Sequence, residues 1–261
     1  MNDDSIRPAA PPIVGRQSLW GRLSRRYAAR RSLHVRIPWV GYAFTSINIV
    51  AIAFFVFDAP LGAAAKGLPA RLVRFAGEVT DVGRLVSILV AVCAVLIVGL
   101  LLTRRLSKLQ RRFRVAYFIR ATVYVAISVI SASIAVHILK YAIGRARPPL
   151  FDAVGIFHLE PFNGDFLYQS FPSAHATHIG AFFAALALLF PRFRLVFAGL
   201  GLWLGVTRII VGVHYPSDVA AGLALGVWFA FATAFIFSRF GLLFSLAHNG
   251  TPTPRRTLAN S

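Results

Sequence analysis

Six apolar stretches dominate this 261-residue chain and limit what it can fold into. A helix rises about 1.5 Å per residue, so about 20 apolar residues are needed to cross the roughly 30 Å hydrocarbon core of a bilayer. Hydrophobic residues make up 57% of the chain and charged residues 14%, against roughly 25% charged residues in an ordinary soluble domain. We therefore predict an all-α integral membrane protein with six transmembrane helices in a bundle. The predicted spans are residues 38–57, 86–102, 115–139, 175–190, 195–213 and 219–238.

Lysine and arginine outnumber aspartate and glutamate by 28 to 9, and most of these cations flank the same ends of the predicted spans. They precede the first span, follow the last one, and fill the connections between spans two and three and between spans four and five. Positive loops mark the cytoplasmic side of a membrane protein, so both termini are predicted to be cytoplasmic. Because the charge lies in short loops beside spans, nucleic acid is not expected as a partner.

The same features divide the chain into three predicted segments. Residues 17–35 mix apolar and aromatic side chains with arginines, which suits either a helix lying on anionic lipid or a disordered basic tail. The first apolar run spans a full bilayer and lacks a cleavage-site pattern, so no cleavable signal is expected. The single cysteine, Cys93, excludes an internal disulfide and a cysteine-based metal cluster. The segments are a basic cytoplasmic or interfacial region (1–37), a six-helix transmembrane domain (38–240) and a cytoplasmic tail (241–261).

Ionisable side chains at membrane depth are costly and usually mark functional sites. In this chain they collect at the ends of spans three to six, on the side that the charge bias places outside. Three separate stretches of sequence are therefore expected to contribute to one outer site. Its candidate residues are Lys140, Arg145, Arg147, Ser173, His175, Arg208, His214 and Asp218.

The residue types in this set favour binding of a multiply charged anion. Its cations offer many N–H donors and no acceptors, and guanidinium groups match phosphate bidentately. Ser173 precedes an apolar helix and is a predicted N-cap, so the helix N-terminus would present N–H groups to an anion. His214 with Asp218 suits an imidazole that a carboxylate orients and makes more basic. The cations are Lys140, Arg147 and Arg208.

Four further residues have a structural role as the alternative to a functional one. Arg145 is either a headgroup anchor or part of the site. His178, one turn after His175, either lines the site or packs inside the bundle. His137 is either a bundle residue or a support behind the site, and Arg120 is expected to reach lipid headgroups.

Three motifs between residues 140 and 218 carry a family resemblance. They are Lys140, six residues and Arg147-Pro148; Pro172-Ser173-Ala174-His175; and Thr207-Arg208, five residues, His214, three residues and Asp218. Their order and spacing resemble the signature of the type 2 phosphatidic acid phosphatase superfamily. These are integral-membrane lipid phosphatases whose soluble relatives include vanadium haloperoxidases. The sequence departs from the signature at two positions, where Ala174 replaces glycine and Thr207 replaces serine.

The resemblance implies a role for each matching residue. His214 would be the nucleophile that forms a phosphohistidine, and Asp218 would orient it. His175 would protonate the leaving oxygen and then help to activate water. No metal or other cofactor is implied. The phosphate oxygens would be held by Lys140, Arg147, Ser173, Arg208 and the backbone N–H of Ala174.

Ala174 decides how well the phosphate-binding motif is preserved. If residue 174 needs a positive φ, alanine is strained there; if it begins a helix, alanine fits. Thr207 keeps the hydroxyl of serine. The departure at residue 174 leaves open reduced or altered activity and an inactive relative.

The resemblance implies a phosphatase that acts on a lipid headgroup at the periplasmic face of a bacterial inner membrane. Polyprenyl diphosphate, phosphatidate, phosphatidylglycerophosphate and the 1-phosphate of lipid A are candidate substrates. Aromatic residues in the outer loop 151–168 favour a lipid over a soluble substrate, and they equally suit loop packing or an interfacial belt. The alternative function is a non-catalytic phosphate-lipid binder or transporter.

Overall fold

The computed structural model describes residues 19–31, 39–106, 109–247 and 250–255, and these are mostly helical. A π-helical segment (Ala53–Phe57) joins α2 to α3, and two short strands, β1 (Phe244–Leu246) and β2 (Pro252–Pro254), follow α10. The helices are α1 (Leu19–Arg31), α2 (Trp39–Ile52), α3 (Asp58–Ala64), α4 (Ala70–Thr80), α5 (Leu85–Arg105), α6 (Leu109–Ile143), α7 (Phe151–Val154), α8 (Ala174–Leu189), α9 (Arg194–Ile210) and α10 (Pro216–Arg239).

Five helical stretches among the described residues are long and apolar enough to cross a membrane. The remaining predicted span, 175–190, corresponds to α8, which has 16 residues and so measures about 24 Å at the usual helical rise. The membrane-protein prediction is therefore supported, while a total of six spans depends on α8 and stays a prediction. The five stretches are Trp39–Ala64, Ala70–Arg105, Arg111–Ile143, Pro191–Ile210 and Pro216–Arg239.

Helix α8 lies at the centre of the bundle, in contact with α6, α9 and α10. Glycines bring it close to α10. A Cβ atom at Gly222 would lie 2.5 Å from the carbonyl oxygen of Ser173, and one at Gly226 would lie 2.3 Å from that of Thr177. Small residues allow helix backbones to approach in this way, which maximises van der Waals contact between membrane helices. The close approach fixes the N-terminus of α8 beside the first turns of α10.

The π-helical segment changes which face of the first membrane helix meets the bundle. Its i→i+5 turn is wider than an α-helical turn, and such segments often occur at functional sites. Phe55 and Val56 within it are exposed on the outside of the bundle, whereas Asp58, directly after it, is fully buried. A carboxylate is thereby placed inside the bundle at the end of this helix.

The chain after α10 forms an antiparallel hairpin in which Ser245 pairs with Thr253. Leu243 and Phe244 are buried, and the Phe244 ring lies 4.9 Å from that of Tyr124 on α6. Burial of these two apolar side chains attaches the segment to the bundle. The described residues are mostly helical, as predicted, and this short hairpin is added to the helices. The predicted tail over 241–261 stays a prediction, and residues 248–249 and 256–261 lie outside the described part.

The basic N-terminal segment is described in part. Helix α1 gives residues 19–31 a helical structure, and the Tyr27 ring lies 5.4 Å from that of Phe240 at the end of α10. Trp20 is 73% exposed, as expected for a helix that lies on lipid. Residues 1–18 and 32–38 of the predicted segments lie outside the described residues.

Replacement of Gly226 with alanine tests the contact between α8 and α10. The new methyl group would force the helices apart, so Gly226→Ala should lower stability by about 1–3 kcal/mol, as overpacking usually does. The measurement is thermal unfolding of the detergent-purified protein. Gly199→Ala on α9 is the matched control, because a Cβ atom there meets nothing within 4 Å; equal melting temperatures for the two variants would contradict the packing argument.

Candidate active site

The residues predicted for the site lie at one end of the bundle, where α6 and α9 end and α8 and α10 begin. Lys140 is in the last turn of α6, and Arg208 is in the last turn of α9. Ser173 caps α8, while Asp218 occupies the first turn of α10. His214 stands in the turn between α9 and α10, and it is buried. Helix ends from four elements thus bring together residues that are up to 78 positions apart in the three motifs.

His214 and Asp218 form a buried pair. The Nδ1 atom of His214 lies 3.5 Å from Oδ2 of Asp218, a long electrostatic contact rather than a short hydrogen bond. The same carboxylate oxygen accepts from the backbone N–H of Tyr215 at 2.8 Å and from the Ser170 hydroxyl at 2.6 Å. Asp218 is therefore held in place by its own helix start and by the loop before α8.

Burial lowers the pKa of His214 to about 3, although the Asp218 carboxylate acts in the opposite direction. The imidazole is therefore neutral at neutral pH. A neutral ring whose Nδ1 faces a carboxylate favours the tautomer with the proton on Nδ1, which leaves a lone pair on Nε2.

Backbone carbonyl groups hold Arg147 beside this pair. Its Nη1 donates to the carbonyl of Val213, next to His214, at 3.0 Å, and its Nε donates to that of Phe166 at 2.9 Å. The guanidinium also lies 3.7 Å from the centroid of the Phe166 ring. Burial lowers the pKa of Arg147 to about 10, so the group remains a cation at neutral pH.

Lys140 joins the same cluster. Its Nζ donates to the carbonyl of Gln169, which also accepts from Nη2 of Arg147 at 3.1 Å. Lys140 interacts electrostatically with Arg147, Arg208 and Asp218. Three buried or partly buried cations in one region, with one carboxylate among them, create a strong preference for an anion.

Arg208 has a buried N–H group that points to a ligand contact. Its Nε is buried and has no hydrogen-bond partner among the described residues. Buried donors are normally satisfied, so this N–H is a candidate contact for a phosphate oxygen. Arg208 also interacts electrostatically with His175.

The connection between α4 and α5 reaches the site, which the sequence did not predict. Nε2 of His175 donates to the carbonyl of Thr80 at 2.5 Å, and Asp81 and Arg84 act electrostatically on both His175 and Arg208. Gly83 permits this approach, because a Cβ atom there would lie 3.0 Å from Nε2 of His175. Residues 80–84 lie just before the second predicted span, and nothing in their sequence indicated a contact with His175 or Arg208.

The structure shows whether alanine is strained at residue 174. Ala174 is the first residue of α8, and Ser173 caps the helix by accepting from the N–H of Ala176 at 3.4 Å. Among the described non-glycine residues, a positive φ occurs at Phe162. Alanine therefore fits at residue 174 without backbone strain, and its N–H stays at the helix N-terminus.

Arg145 is a buried member of the site region, which rules out the headgroup-anchor interpretation. It donates to Asp218 Oδ1 at 2.7 Å and to Asp58 Oδ2 at 2.8 Å, and it is 3% exposed. Sequence reasoning missed Asp58. The signal was present in the sequence, since Asp58 is an ionisable group at the end of the first apolar span.

Two further histidines lie behind the site. Nε2 of His178 bonds the Ser133 hydroxyl of α6 at 3.0 Å, so this buried side chain contributes to the contact between α6 and α8. His137 is exposed on α6, and its Nδ1 contacts the Ser133 carbonyl at 2.8 Å. Within the described ranges, no group of three or more histidine, cysteine or carboxylate side chains is arranged to hold a metal ion.

Comparison with known proteins places this geometry in a family. Residues 121–241 match the PAP2 superfamily. The chain is 40% identical to the lipid A 1-phosphatase of Rhizobium johnstonii over 92% of this chain and 98% of that protein. It is also 40% identical to the lipid A 1-phosphatase of Rhizobium etli, over 84% of this chain and 94% of that protein. The chain belongs to the PAP2 superfamily.

More distant similarities extend across the superfamily. The undecaprenyl-diphosphatase of Sulfolobus acidocaldarius is 33% identical over 40% of this chain and 50% of that protein. The crystal structure of a transmembrane PAP2-type phosphatidylglycerolphosphate phosphatase from Bacillus subtilis aligns with 83% of this chain and 92% of that chain, at a TM-score of 0.46 and 16% identity.

Membership of the PAP2 superfamily confirms the resemblance on which the residue roles were predicted. The protein is a phosphatase, and therefore a hydrolase, with membrane-spanning helices. The roles of individual side chains remain predictions.

The low pKa of His214 should make folding stability depend on pH. Between about pH 6.5, the ordinary imidazole pKa, and the native value of about 3, the unfolded chain binds a proton that the native protein does not. Stability should therefore fall as pH is lowered through this window. His214→Gln removes this contribution, so its melting temperature should fall less between pH 7.5 and pH 5 than that of the wild type.

The wild type measured in parallel is the reference for this comparison. An unchanged dependence in His214→Gln would show that His214 does not titrate in this way.

Proposed function

We propose that this protein is a lipid phosphatase that hydrolyses a phosphorylated headgroup through a phosphohistidine intermediate. The observation that carries the proposal is the meeting of three cations with the His214–Asp218 pair at one end of apolar helices. The relatives named lipid A 1-phosphatase, which align over nearly their whole length, favour the 1-phosphate of a lipid A-type glycolipid among the candidate substrates.

The proposed reaction has two displacement steps. Nε2 of His214 attacks phosphorus, a P–N bond forms, and the bond from phosphorus to the lipid oxygen breaks. Water then attacks the phosphohistidine, the P–N bond breaks, and inorganic phosphate leaves with His214 regenerated. Lys140, Arg147 and Arg208 would stabilise the negative charge on the phosphoryl oxygens, and such fixed charges are effective because they need no reorganisation.

His175 would supply and recover the proton in these steps. As the imidazolium it would donate a proton to the leaving lipid oxygen in the first step; the neutral ring that results would take a proton from water in the second, which restores the imidazolium. Its Nε2–H donates to the carbonyl of Thr80. Proton transfer from this nitrogen therefore requires the hydrogen bond to Thr80 to be replaced by one to the leaving oxygen. The contact with Thr80 keeps the ring oriented before the substrate binds.

The charge bias supports a periplasmic position for the site. Basic residues flank the C-terminal end of α5 and the N-terminal end of α6, at the opposite ends of these helices from the site. By the positive-inside rule those ends are cytoplasmic. We therefore place both termini in the cytoplasm and the site at the outer face of the bacterial inner membrane.

An apolar groove beside the site supports a substrate with hydrocarbon chains. Its volume is about 660 Å³, and it lies between α2, α6, α10 and the outer loop. Its lining includes Arg145 and the Phe171–Pro172 pair, directly before Ser173. A lipid whose phosphate lies among the cations could place a chain in this groove.

Removal of the nucleophile gives the primary test. Detergent-purified wild-type protein should release inorganic phosphate from lipid A 1-phosphate in EDTA without added magnesium, and faster than from the other candidate lipids. His214→Ala should abolish release while retaining lipid binding. His137→Ala is the control histidine variant, because this side chain is exposed on α6, and it should still release phosphate. If folded wild-type protein releases no phosphate, the alternative of a phosphate-lipid binder or transporter is favoured instead.

Filling the groove tests the contribution of the lipid chain. Ala221→Phe places a large side chain in the groove lining, so it should raise KM several-fold for a long-chain lipid phosphate but not for a short-chain soluble analogue. Ala198→Phe is the control, because Ala198 lines a separate groove between α8, α9 and the hairpin. Equal effects on both substrates would exclude the groove as a chain-binding site.

A further inference from the structure

A buried ion cluster behind the His214–Asp218 pair includes a carboxylate that none of the three motifs contains. The Arg145 guanidinium lies between Asp58 and Asp218, with N–O distances of 2.8 Å and 2.7 Å. Its side chain is 4% exposed, and both carboxylates are fully buried. Asp58 also lies outside residues 121–241, which match the PAP2 superfamily.

Asp58 joins the first membrane helix to the start of α10. One of its oxygens accepts from the backbone N–H of Ser217 at 2.9 Å, and the other accepts from the Ser217 hydroxyl. Ser217 precedes Asp218, and its hydroxyl also accepts from Arg145 at 2.7 Å. The backbone turn that presents Asp218 to His214 is therefore held from a point 159 residues earlier in the chain.

Aromatic rings restrict the position of Arg145. The centre of its guanidinium lies 4.9 Å from the Phe54 ring centroid and 4.5 Å from that of Tyr215. The carbonyl of Ile156 accepts from its Nε at 3.3 Å. With two rings against its guanidinium and each terminal nitrogen on a carboxylate, Arg145 has little freedom to move toward Asp218 alone.

The charges in this cluster affect His214. The neighbours that act electrostatically on its ring are Asp218 on α10, Lys140 on α6 and Arg147 in the loop after α6. The two cations make a positively charged imidazole unfavourable, and Asp218 is the group that opposes them. Were Arg145 paired with Asp218 alone, it would cancel that carboxylate. Asp58 supplies a second negative charge, which leaves the cluster with a net charge of about −1 when all three groups are ionised.

We propose that Asp58 is a positioning residue for phosphoryl transfer. By balancing the charge of Arg145 and holding Ser217, it leaves the negative charge of Asp218 free to act on His214 and keeps that carboxylate directed at the ring. The proposal rests on the proposed nucleophilic role of His214, whose ring gains positive character when its Nε2 bonds to phosphorus. The negative charge behind Asp218 stabilises that state.

The test is Asp58→Asn, which removes the charge and preserves the shape of the side chain. We expect kcat to fall on the order of 10- to 100-fold, as it does when outer partners of metal-ligating histidines are changed. KM should remain close to the wild-type value, because Asp58 does not contact the cations proposed to bind phosphate. The acidic limb of kcat/KM, which reports the free enzyme's base, should move to lower pH because a negative charge near the imidazole has been lost.

The double variant Asp58→Asn/Arg145→Gln separates charge from structure. It removes one charge of each sign, so the cluster returns to its original net charge. Activity and the acidic limb should both move back toward the wild-type values. A purely structural role for Asp58 predicts instead that the double variant is no more active than the single one, which would overturn the proposal.

Glu78→Gln is the matched control, since Glu78 is an exposed carboxylate on α4, and it should retain wild-type kinetics.

Gel filtration and melting temperature show whether each variant is folded. If Asp58→Asn alone does not fold, recovery of folding and activity in the double variant supports the charge role. If neither the single nor the double variant folds, the charge role is overturned. Full activity in Asp58→Asn beside an inactive His214→Ala would overturn this inference and leave the proposed function intact. A wild type that releases no phosphate would overturn both.

Discussion

The placement of Arg145 between two buried carboxylates connects the membrane scaffold to the candidate catalytic residues. One carboxylate belongs to the first membrane helix and the other to the start of α10, while Arg145 comes from the loop after α6. A buried ion pair is expensive to form and strongly destabilising to break, because the remaining charge has no water to solvate it. The cluster therefore restricts how these three parts of the chain can move relative to one another.

That restriction matters because the candidate site is built from charged side chains whose positions must be held. The three cations of the site, Lys140, Arg147 and Arg208, come from different parts of the chain. They repel one another and would move apart if the protein did not hold them. Their positions are held by carbonyl groups of the loop before α8, by the Phe166 ring and by the packing of α9. A site built in this way is preorganised for an anion, and preorganised charge contributes most to phosphoryl transfer.

Helix packing fixes the other half of the site. Gly222 and Gly226 allow α10 to touch the backbone of α8, so the capped N-terminus of α8 lies beside Asp218, whose carbonyl accepts from the N–H of Ser173 at 2.9 Å. The N–H of Ala174, at the start of α8, is consequently presented at the same end of the bundle as the cations. The groove between α2, α6 and α10 adds an apolar surface next to these charges, a combination that fits an amphiphilic substrate better than a soluble one.

The sequence by itself determined the membrane class, the family and the candidate site residues. Apolar runs follow directly from the cost of placing polar groups in hydrocarbon, and the three motifs retain the order and spacing of residues whose chemistry depends on them. Composition and spacing were therefore enough to select Lys140, Arg147, His175, Arg208 and His214 before any contact was known.

Tertiary structure decided the contacts that depend on distant parts of the chain. Asp58 is the partner of Arg145 because a π-helical segment places it inside the bundle, and Thr80 meets His175 because Gly83 lets a loop approach. The C-terminal hairpin forms because Leu243 and Phe244 find an apolar surface on the bundle. None of these pairings has a local sequence pattern, since each depends on which helix faces meet once the bundle has packed.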